Sequence, residues 1–185
     1  MAFIPKRKLP RLPRKWYQGT AFVLWTHTVE ERATGWLNER FSCEFRVQLL
    51  HTCARYAVAC PTYVLMPDHW HLVWMGLDSS SDQWIATSFL REYLKPLLGS
   101  ARLQDRAHDH VLREKERDRG AFESACHYVR ENPVRAGLIQ QWQDWPYLGG
   151  TFAGYPDLDF KADDYWDRFW RIYNRYQPAA DRAET

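Results

Sequence analysis

The sequence of 185 residues lacks several features that identify common classes of protein. No apolar run approaches the ~20 residues that a membrane helix needs, so we expect no membrane contact. The basic N-terminus lacks the apolar core of a signal peptide, which favours a cytoplasmic protein. The four cysteines form no Cys-x-x-Cys pair, and reduced thiols are the simplest interpretation. No Walker-type loop is present, which argues against an ATP-driven enzyme and predicts no nucleotide cofactor.

Positive charge is concentrated near the N-terminus. Residues 1–55 carry ten Lys and Arg against four Asp and Glu, although the whole chain has a net charge of only +2. The densest stretch cannot form a core and is predicted to be extended. It is either a solvated tail or an arm that binds DNA phosphates. Its basic residues are Lys6, Arg7, Lys8, Arg11, Arg14 and Lys15.

The pattern of strands and helices predicts an α+β fold with one main domain. Strands are predicted over 21–29, 57–66, 69–77 and 108–113. Helices are predicted over 37–54 and 117–131, and a further helix, capped by residues 79–82, includes Trp84 and Leu94. The order β-α-β-β-α-β is the split β-α-β arrangement of a ferredoxin-like antiparallel sheet, with helices on one face. We divide the chain into a basic flexible arm (1–18), a main domain (19–155) and a C-terminal aromatic helix and tail (156–185).

Two histidines lie at the start of the second strand of a predicted hairpin. Alternation along a strand places His69 and His71 together on one side, and we expect Trp70 and Val73 on the other. Two adjacent imidazoles can bind one metal ion. A pair of partly exposed histidines without a metal is the alternative, and His-x-His alone does not decide between them.

A second stretch, about sixty residues further on, ends a predicted helix. Helical spacing places Tyr128 and Asn132 on the same face. A phenol and an amide oxygen would then be presented together. The alternative is a helix end with an ordinary buried tyrosine and an asparagine that caps the helix before Pro133.

Together the two stretches resemble a known family. Tyr63-Val-Leu-Met-Pro-Asp-His-Trp-His-Leu-Val73 and Tyr128-Val-Arg-Glu-Asn-Pro-Val-Arg-Ala-Gly-Leu138 are similar to the motifs of REP-associated tyrosine transposases. These are single-tyrosine HUH enzymes, in which a bulky hydrophobe separates two histidines. The resemblance runs from about residue 21 to residue 147, and it includes the segment from His110 to Arg113. Asp68 departs from the family pattern, because asparagine is common at that position.

The resemblance implies an enzyme that cleaves and rejoins single-stranded or hairpin DNA through a covalent 5′-phosphotyrosine. It implies that Tyr128 is the nucleophile and that His69 and His71 bind a divalent metal, with Asn132 as the third ligand. Two imidazoles and an amide oxygen suit Mn²⁺ better than Mg²⁺, although Mg²⁺ is the more abundant ion. Rejoining needs no nucleotide, because the phosphotyrosine preserves the phosphodiester energy.

Two other functions remain open at this stage. A DNA-binding or regulatory protein could keep the fold without cutting, although DNA binding alone does not need the histidines, tyrosine and asparagine together. A metal-dependent hydrolase would need further ligands, and His108, Asp109 and His110 form the only cluster that could supply them. The sequence leaves open whether the protein is a monomer or a homodimer.

Overall fold

The computed structural model describes residues 11–176, which form a five-stranded antiparallel sheet with helices. Among these residues no helix is long and apolar enough to cross a membrane. Short 3₁₀ turns cover Arg14–Tyr17, Glu30–Arg32, Lys95–Leu98 and Trp142–Asp144. The strands are β1 (Phe22–Thr28), β2 (Val58–Met66), β3 (His69–Gly76), β4 (His108–Val111) and β5 (Leu148–Thr151). The helices are α1 (Glu39–Arg55), α2 (Gln83–Leu94), α3 (Glu114–Arg117), α4 (Ala121–Arg130), α5 (Asn132–Arg135) and α6 (Tyr165–Tyr173).

The sheet has the order β4-β1-β3-β2-β5, and every neighbouring pair is antiparallel. Its first four strands with α1 and α2 make the split β-α-β arrangement, so the predicted α+β ferredoxin-like class is confirmed. The Pro67-Asp68 turn joins β2 to β3 and places Met66 opposite His69, which sets the register of the two strands. The histidine pair therefore begins a central strand of the sheet.

Helices cover both faces of the sheet, whereas the sequence predicted helices on one face. Trp25, Trp70 and Trp74 pack with α1 and α2 in one core layer. Val64 and Val73 pack with α4 and α6 in the other layer. Two-sided cover explains why all nine residues of β2 are buried. The split β-α-β unit accounts only for α1 and α2, and the second layer comes from the chain after β4.

Strand β5 was not predicted from the sequence, because its Leu-Gly-Gly-Thr stretch has weak strand character. The two glycines are required by close packing. A Cβ on Gly149 would lie 2.9 Å from the Tyr63 hydroxyl, and one on Gly150 would meet the Tyr165 hydroxyl. That hydroxyl donates a hydrogen bond to the Pro61 carbonyl at 2.6 Å, which ties α6 to β2.

The described part of the predicted arm packs against the domain. Tyr17 is fully buried, and its hydroxyl donates a hydrogen bond to Asp109 at 2.5 Å. Arg14 binds Asp82 through two nitrogens, at 2.7 and 3.0 Å. The prediction of a flexible arm through residue 18 is therefore corrected for residues 11–18. The sequence missed this packing because the partners lie 60 to 100 positions away. Residues 1–10 lie outside the described part of the chain.

The helix predicted over 117–131 is divided into shorter pieces. Gly120 has a φ of +78°, a left-handed conformation that favours glycine, and it separates α3 from α4. Glu131 then joins α4 to α5 with near-helical angles (φ −83°, ψ 0°), so the chain does not leave the helical path before Pro133. Proline is tolerated there because it stands in the first turn of α5.

Candidate active site

The two histidines of β3 converge on one point. Their Nε2 atoms are 3.1 Å apart, and their ring centroids are separated by 4.7 Å. Trp70 lies on the opposite face, in the other core layer, as predicted. Val73 shares the histidine face, contrary to prediction, because positions 69, 71 and 73 have the same parity along the strand.

Each histidine is oriented by a partner on its Nδ1 atom. His69 Nδ1 lies 2.5 Å from an oxygen of Asp68, whose other oxygen forms a 3.0 Å ion pair with Arg32. Because a carboxylate only accepts, the Nδ1 atom of His69 carries a proton that it donates to Asp68. His71 Nδ1 lies 2.8 Å from the Thr26 hydroxyl, its cross-strand neighbour on β1. A hydroxyl both donates and accepts, so Thr26 accommodates either tautomer of His71.

His71 is held neutral by its surroundings. Its side chain is buried, and this burial is the main reason that its pKa falls to about 3. A proton on the neighbouring His69 and the charges of Arg32 and Arg135 also lower the pKa of His71. A neutral imidazole keeps a lone pair for a cation at physiological pH.

Tyr128 lies against the histidine pair. Helix α4 buries Phe122, Cys126 and Val129 beneath the sheet, which leaves Tyr128 half-buried at the edge of that contact. Its ring centroid is 5.2 Å from that of His71, at an interplanar angle of 72°. The structure therefore brings the predicted nucleophile against His71, a predicted metal ligand that precedes it by 57 positions in the chain.

Asn132 follows Tyr128 by one helical turn, at the first position of α5. Its side chain is half-buried and makes no hydrogen bond with another residue of the range 11–176. A cap hydrogen bond from Asn132, the alternative to a ligand role, is not present at either helix end. The amide oxygen of Asn132 is thus available as a metal ligand.

The histidine pair fits a divalent ion. Two imidazole nitrogens that bind one ion at about 2.1 Å stand about 3 Å apart when they subtend a right angle, close to the observed 3.1 Å. Asp68 supports His69 as carboxylates commonly support metal-binding histidines. Within residues 11–176 no cluster of three His, Cys, Asp or Glu side chains could hold a metal. A third protein donor would therefore be of another type, such as an amide.

The alternative cluster on β4 does not assemble a site. Asp109 accepts hydrogen bonds from Tyr17 and pairs with Arg11 at 3.1 Å. His108 and His110 are exposed and lie on the other face of β4 from Asp109. Their cross-strand partners on β1 are Thr26 and Leu24. Alternation along β4 thus divides the three residues between two faces, which removes the structural basis for a hydrolase built on them.

No family model matches the chain. It is 26% identical over 165 residues to a protein of Haemophilus influenzae named as a REP-associated tyrosine transposase, which covers 75% of this chain and 90% of that protein. A solved structure, "Structure of the REP associates tyrosine transposase bound to a REP hairpin", superposes with a TM-score of 0.64 at 18% identity. That match covers 75% of this chain and 82% of the other. The predicted resemblance is confirmed. At these identities the solved structure shows the fold, and the sequence relative shows a similarity to REP-associated tyrosine transposases.

The basic arm predicted to bind DNA is described only in part. Lys6, Arg7 and Lys8 lie outside the described residues. Arg11 and Arg14 pair with Asp109 and Asp82, and the Arg11 guanidinium also stacks 4.7 Å from the Trp84 ring. Lys15 is exposed, without an ion pair to any residue of 11–176. A DNA-binding role for these six residues stays a prediction, and Arg11 and Arg14 would have to share their charge with a carboxylate.

Sequence reasoning missed three residues around the site: Thr26, Arg32 and Arg135. Thr26 meets His71 only through the register of β1 and β3, and no local signal marks it. Arg32 reaches Asp68 from a turn in which it adopts a φ of +57°. Arg135 had a usable signal, because it follows Tyr128 by seven positions on a helical path. Arg135 also lies within the stretch that resembles REP-associated tyrosine transposases, but no role was assigned to it from that resemblance.

Proposed function

We propose that this protein is a metal-dependent endonuclease and strand transferase for single-stranded DNA. It would act through a covalent 5′-phosphotyrosine on DNA repeats that form hairpins. The observation that carries the proposal is the contact of Tyr128 with His71, whose Nε2 converges with that of His69. A protein that only binds DNA does not require a phenol beside two converging imidazoles.

His69, His71 and Asn132 would hold Mg²⁺ or Mn²⁺. When bound, such an ion supplies Lewis-acid stabilisation of charge on the phosphate oxygens. The protein's own part is to present two converging imidazole nitrogens. Asp68 and Thr26 orient those imidazoles, so little reorganisation is needed at the moment of reaction.

The chemical step assigned to Tyr128 is an in-line attack on a phosphodiester. The phenol oxygen forms a bond to phosphorus while the bond from phosphorus to the 3′ oxygen breaks; the phenol loses its proton and the leaving 3′ oxygen takes one up, so the number of protons is conserved. The products are a 5′-phosphotyrosine and a 3′ hydroxyl. Attack by a 3′ hydroxyl on the phosphotyrosine reverses these changes and rejoins a strand without a nucleotide. A free phenol has a pKa of about 10, so its proton must be lost during the attack.

Hairpin DNA is proposed as the partner on two grounds. The solved structure with the same fold is described as bound to a REP hairpin. In addition, the N-terminal segment of this chain carries six positive charges within ten residues, which suits a phosphate backbone.

The proposal is tested by trapping the covalent adduct. Wild-type protein is incubated with labelled single-stranded hairpins and Mn²⁺, and denaturing gels should show a protein–DNA adduct. Tyr128→Phe removes one oxygen and should abolish the adduct while DNA binding survives. The matched control is Tyr93→Phe, an exposed tyrosine of α2 in the other helix layer, which should leave the adduct unchanged.

Two results would contradict the proposal. An adduct that persists in Tyr128→Phe would remove this tyrosine from the nucleophile role. Hairpin binding without any adduct in the wild-type protein, with either metal, would identify a DNA-binding protein that keeps the fold.

A further inference from the structure

We propose that Arg135 binds a DNA phosphate against the ring of Tyr128 and so presents the phosphodiester to the phenol. The inference rests on the proposed function of the site. It adds a phosphate-binding residue to the nucleophile and the metal ligands.

Arg135 lies on the same helical face as the other two residues of this stretch. Tyr128, Asn132 and Arg135 are spaced i, i+4 and i+7, which is one stripe of an α-helix. The stripe is continuous because Glu131 keeps near-helical angles between α4 and α5. The backbone amides of Glu131, Arg135 and Ala136 each bond to the carbonyl four positions earlier. One face of this helical segment therefore carries a phenol, an amide and a guanidinium.

The guanidinium is held at the nucleophile by stacking. The Arg135 Cζ atom lies 4.8 Å from the centroid of the Tyr128 ring, within the distance of a cation–π contact. The centroid of the Tyr128 ring in turn lies 5.2 Å from that of the His71 ring. The positive charge thus lies beside both the phenol and the histidine pair.

The charge of Arg135 has no acidic partner. Among residues 11–176 no carboxylate lies within ion-pair distance of the Arg135 guanidinium. The Arg135 side chain is exposed to solvent. The neighbouring arginines differ in this respect. Arg32 pairs with Asp68 at 3.0 Å, and Arg130 pairs with Glu131 at 3.2 Å. Of these three arginines, Arg135 is the one whose N–H groups remain available to an anion from outside the protein.

A phosphodiester is the anion that suits this position. The guanidinium carbon lies over the ring, and the N–H groups along the guanidinium edge form no ion pair within residues 11–176, so they can donate to two non-bridging oxygens. The ring that orients the guanidinium is also the proposed nucleophile. A phosphate bound at that edge would therefore be held beside the phenol.

The test measures phosphate contacts without metal. Full-length protein is titrated onto a fluorescein-labelled single-stranded hairpin oligonucleotide in EDTA, and anisotropy is followed over a range of salt concentrations. Loss of one phosphate contact should reduce the logarithmic salt slope by about 0.7 and the affinity at 50 mM salt by about 5- to 10-fold in Arg135→Gln. Arg135→Lys keeps the charge and should retain the slope.

The matched control is Arg55→Gln. Arg55 is also an exposed arginine stacked on aromatic rings, 5.5 Å from Phe89 and 5.8 Å from Tyr56, but it ends α1 in the other helix layer. Its loss should leave the slope and affinity unchanged. Far-ultraviolet circular dichroism should show equal folding of all variants.

A second measurement finds the phosphate that is contacted. Neutral methylphosphonates replace the phosphates of the hairpin one at a time. One substitution should weaken wild-type binding but have no further effect on Arg135→Gln, and the Tyr128 adduct should form at that same phosphate. An unchanged salt slope in Arg135→Gln, or a contacted phosphate distant from the cleavage position, would overturn the inference. Absence of any adduct from wild-type protein, with the Arg135-dependent phosphate retained, would refute the proposed enzyme while supporting Arg135 as a phosphate ligand.

Discussion

Replacement of Asp68 by alanine is expected to weaken the proposed metal binding without removing a proposed metal ligand. One oxygen of Asp68 accepts a hydrogen bond from His69 Nδ1 at 2.5 Å, and the other pairs with Arg32 at 3.0 Å. The carboxylate thereby holds the His69 ring with its Nε2 toward His71. In Asp68→Ala the ring loses its orienting partner, and the charge of Arg32 is left unopposed beside the site.

The size of the effect follows from the nature of the lost contact. A short hydrogen bond to a carboxylate is stronger than one between neutral groups. Loss of such a support commonly lowers metal affinity 10- to 100-fold, or about 1.4 to 2.7 kcal/mol. Asp68→Asn removes the charge but keeps an oxygen acceptor, so we expect it to recover most of this loss. The difference between the two variants measures the hydrogen bond apart from the charge.

Calorimetric titration of Mn²⁺ into the DNA-free protein measures the affinity directly. His69→Ala serves as the variant that removes a ligand and should abolish binding. The reasoning is refuted if Asp68→Ala binds Mn²⁺ within about twofold of wild type while His69→Ala does not bind. Failure of the wild-type protein to bind Mn²⁺ would instead refute the metal site itself.

Three further predictions concern Asn132, the buried histidines and the N-terminal segment. Asn132→Ala should raise the Mn²⁺ concentration needed for cleavage and Asn132→Asp should largely restore it, whereas an unchanged requirement with a lower melting temperature would indicate a structural role. Burial lowers the pKa of His27 and His71 in the folded state, whereas the unfolded chain takes up these protons near pH 6.5. The unfolded state therefore binds more protons below pH 6.5, and the free energy of unfolding should fall there by up to about 1.4 kcal/mol per pH unit for each histidine. Denaturant titrations at pH 7, 6 and 5 test this, and His71→Gln should show a smaller fall than wild type. Deletion of residues 1–10 should leave the fold and the adduct intact but flatten the salt dependence of DNA binding, and an unchanged slope would mean that this segment is only solvated.

Local patterns in the sequence predicted much of the fold and the main elements of the site. Alternation along a strand placed His69 and His71 on one face, and the Pro67-Asp68 turn predicted the hairpin that carries them. Helical spacing related Tyr128 to Asn132, and this relation survives the junction between α4 and α5. These features depend on neighbours within a few residues, which is why the sequence alone could indicate them.

Contacts between distant segments were decided only by the tertiary structure. The Thr26 hydroxyl contacts His71 because the register of β1 and β3 places these two residues side by side. Neither residue carries a local sequence signal that predicts this register. The second helix layer and β5 form on segments whose local signals are weak, and packing against the sheet stabilises them.

The ion pairs of the basic N-terminal segment could likewise not be predicted from the sequence. From composition, Arg11 and Arg14 belonged to an arm available for DNA, yet in the folded protein they pair with Asp109 and Asp82. The sequence determined which charged groups, imidazoles and phenols this protein carries. Folding determined which of them face one another, because a long-range ion pair or ring contact exists only after distant strands and helices have packed.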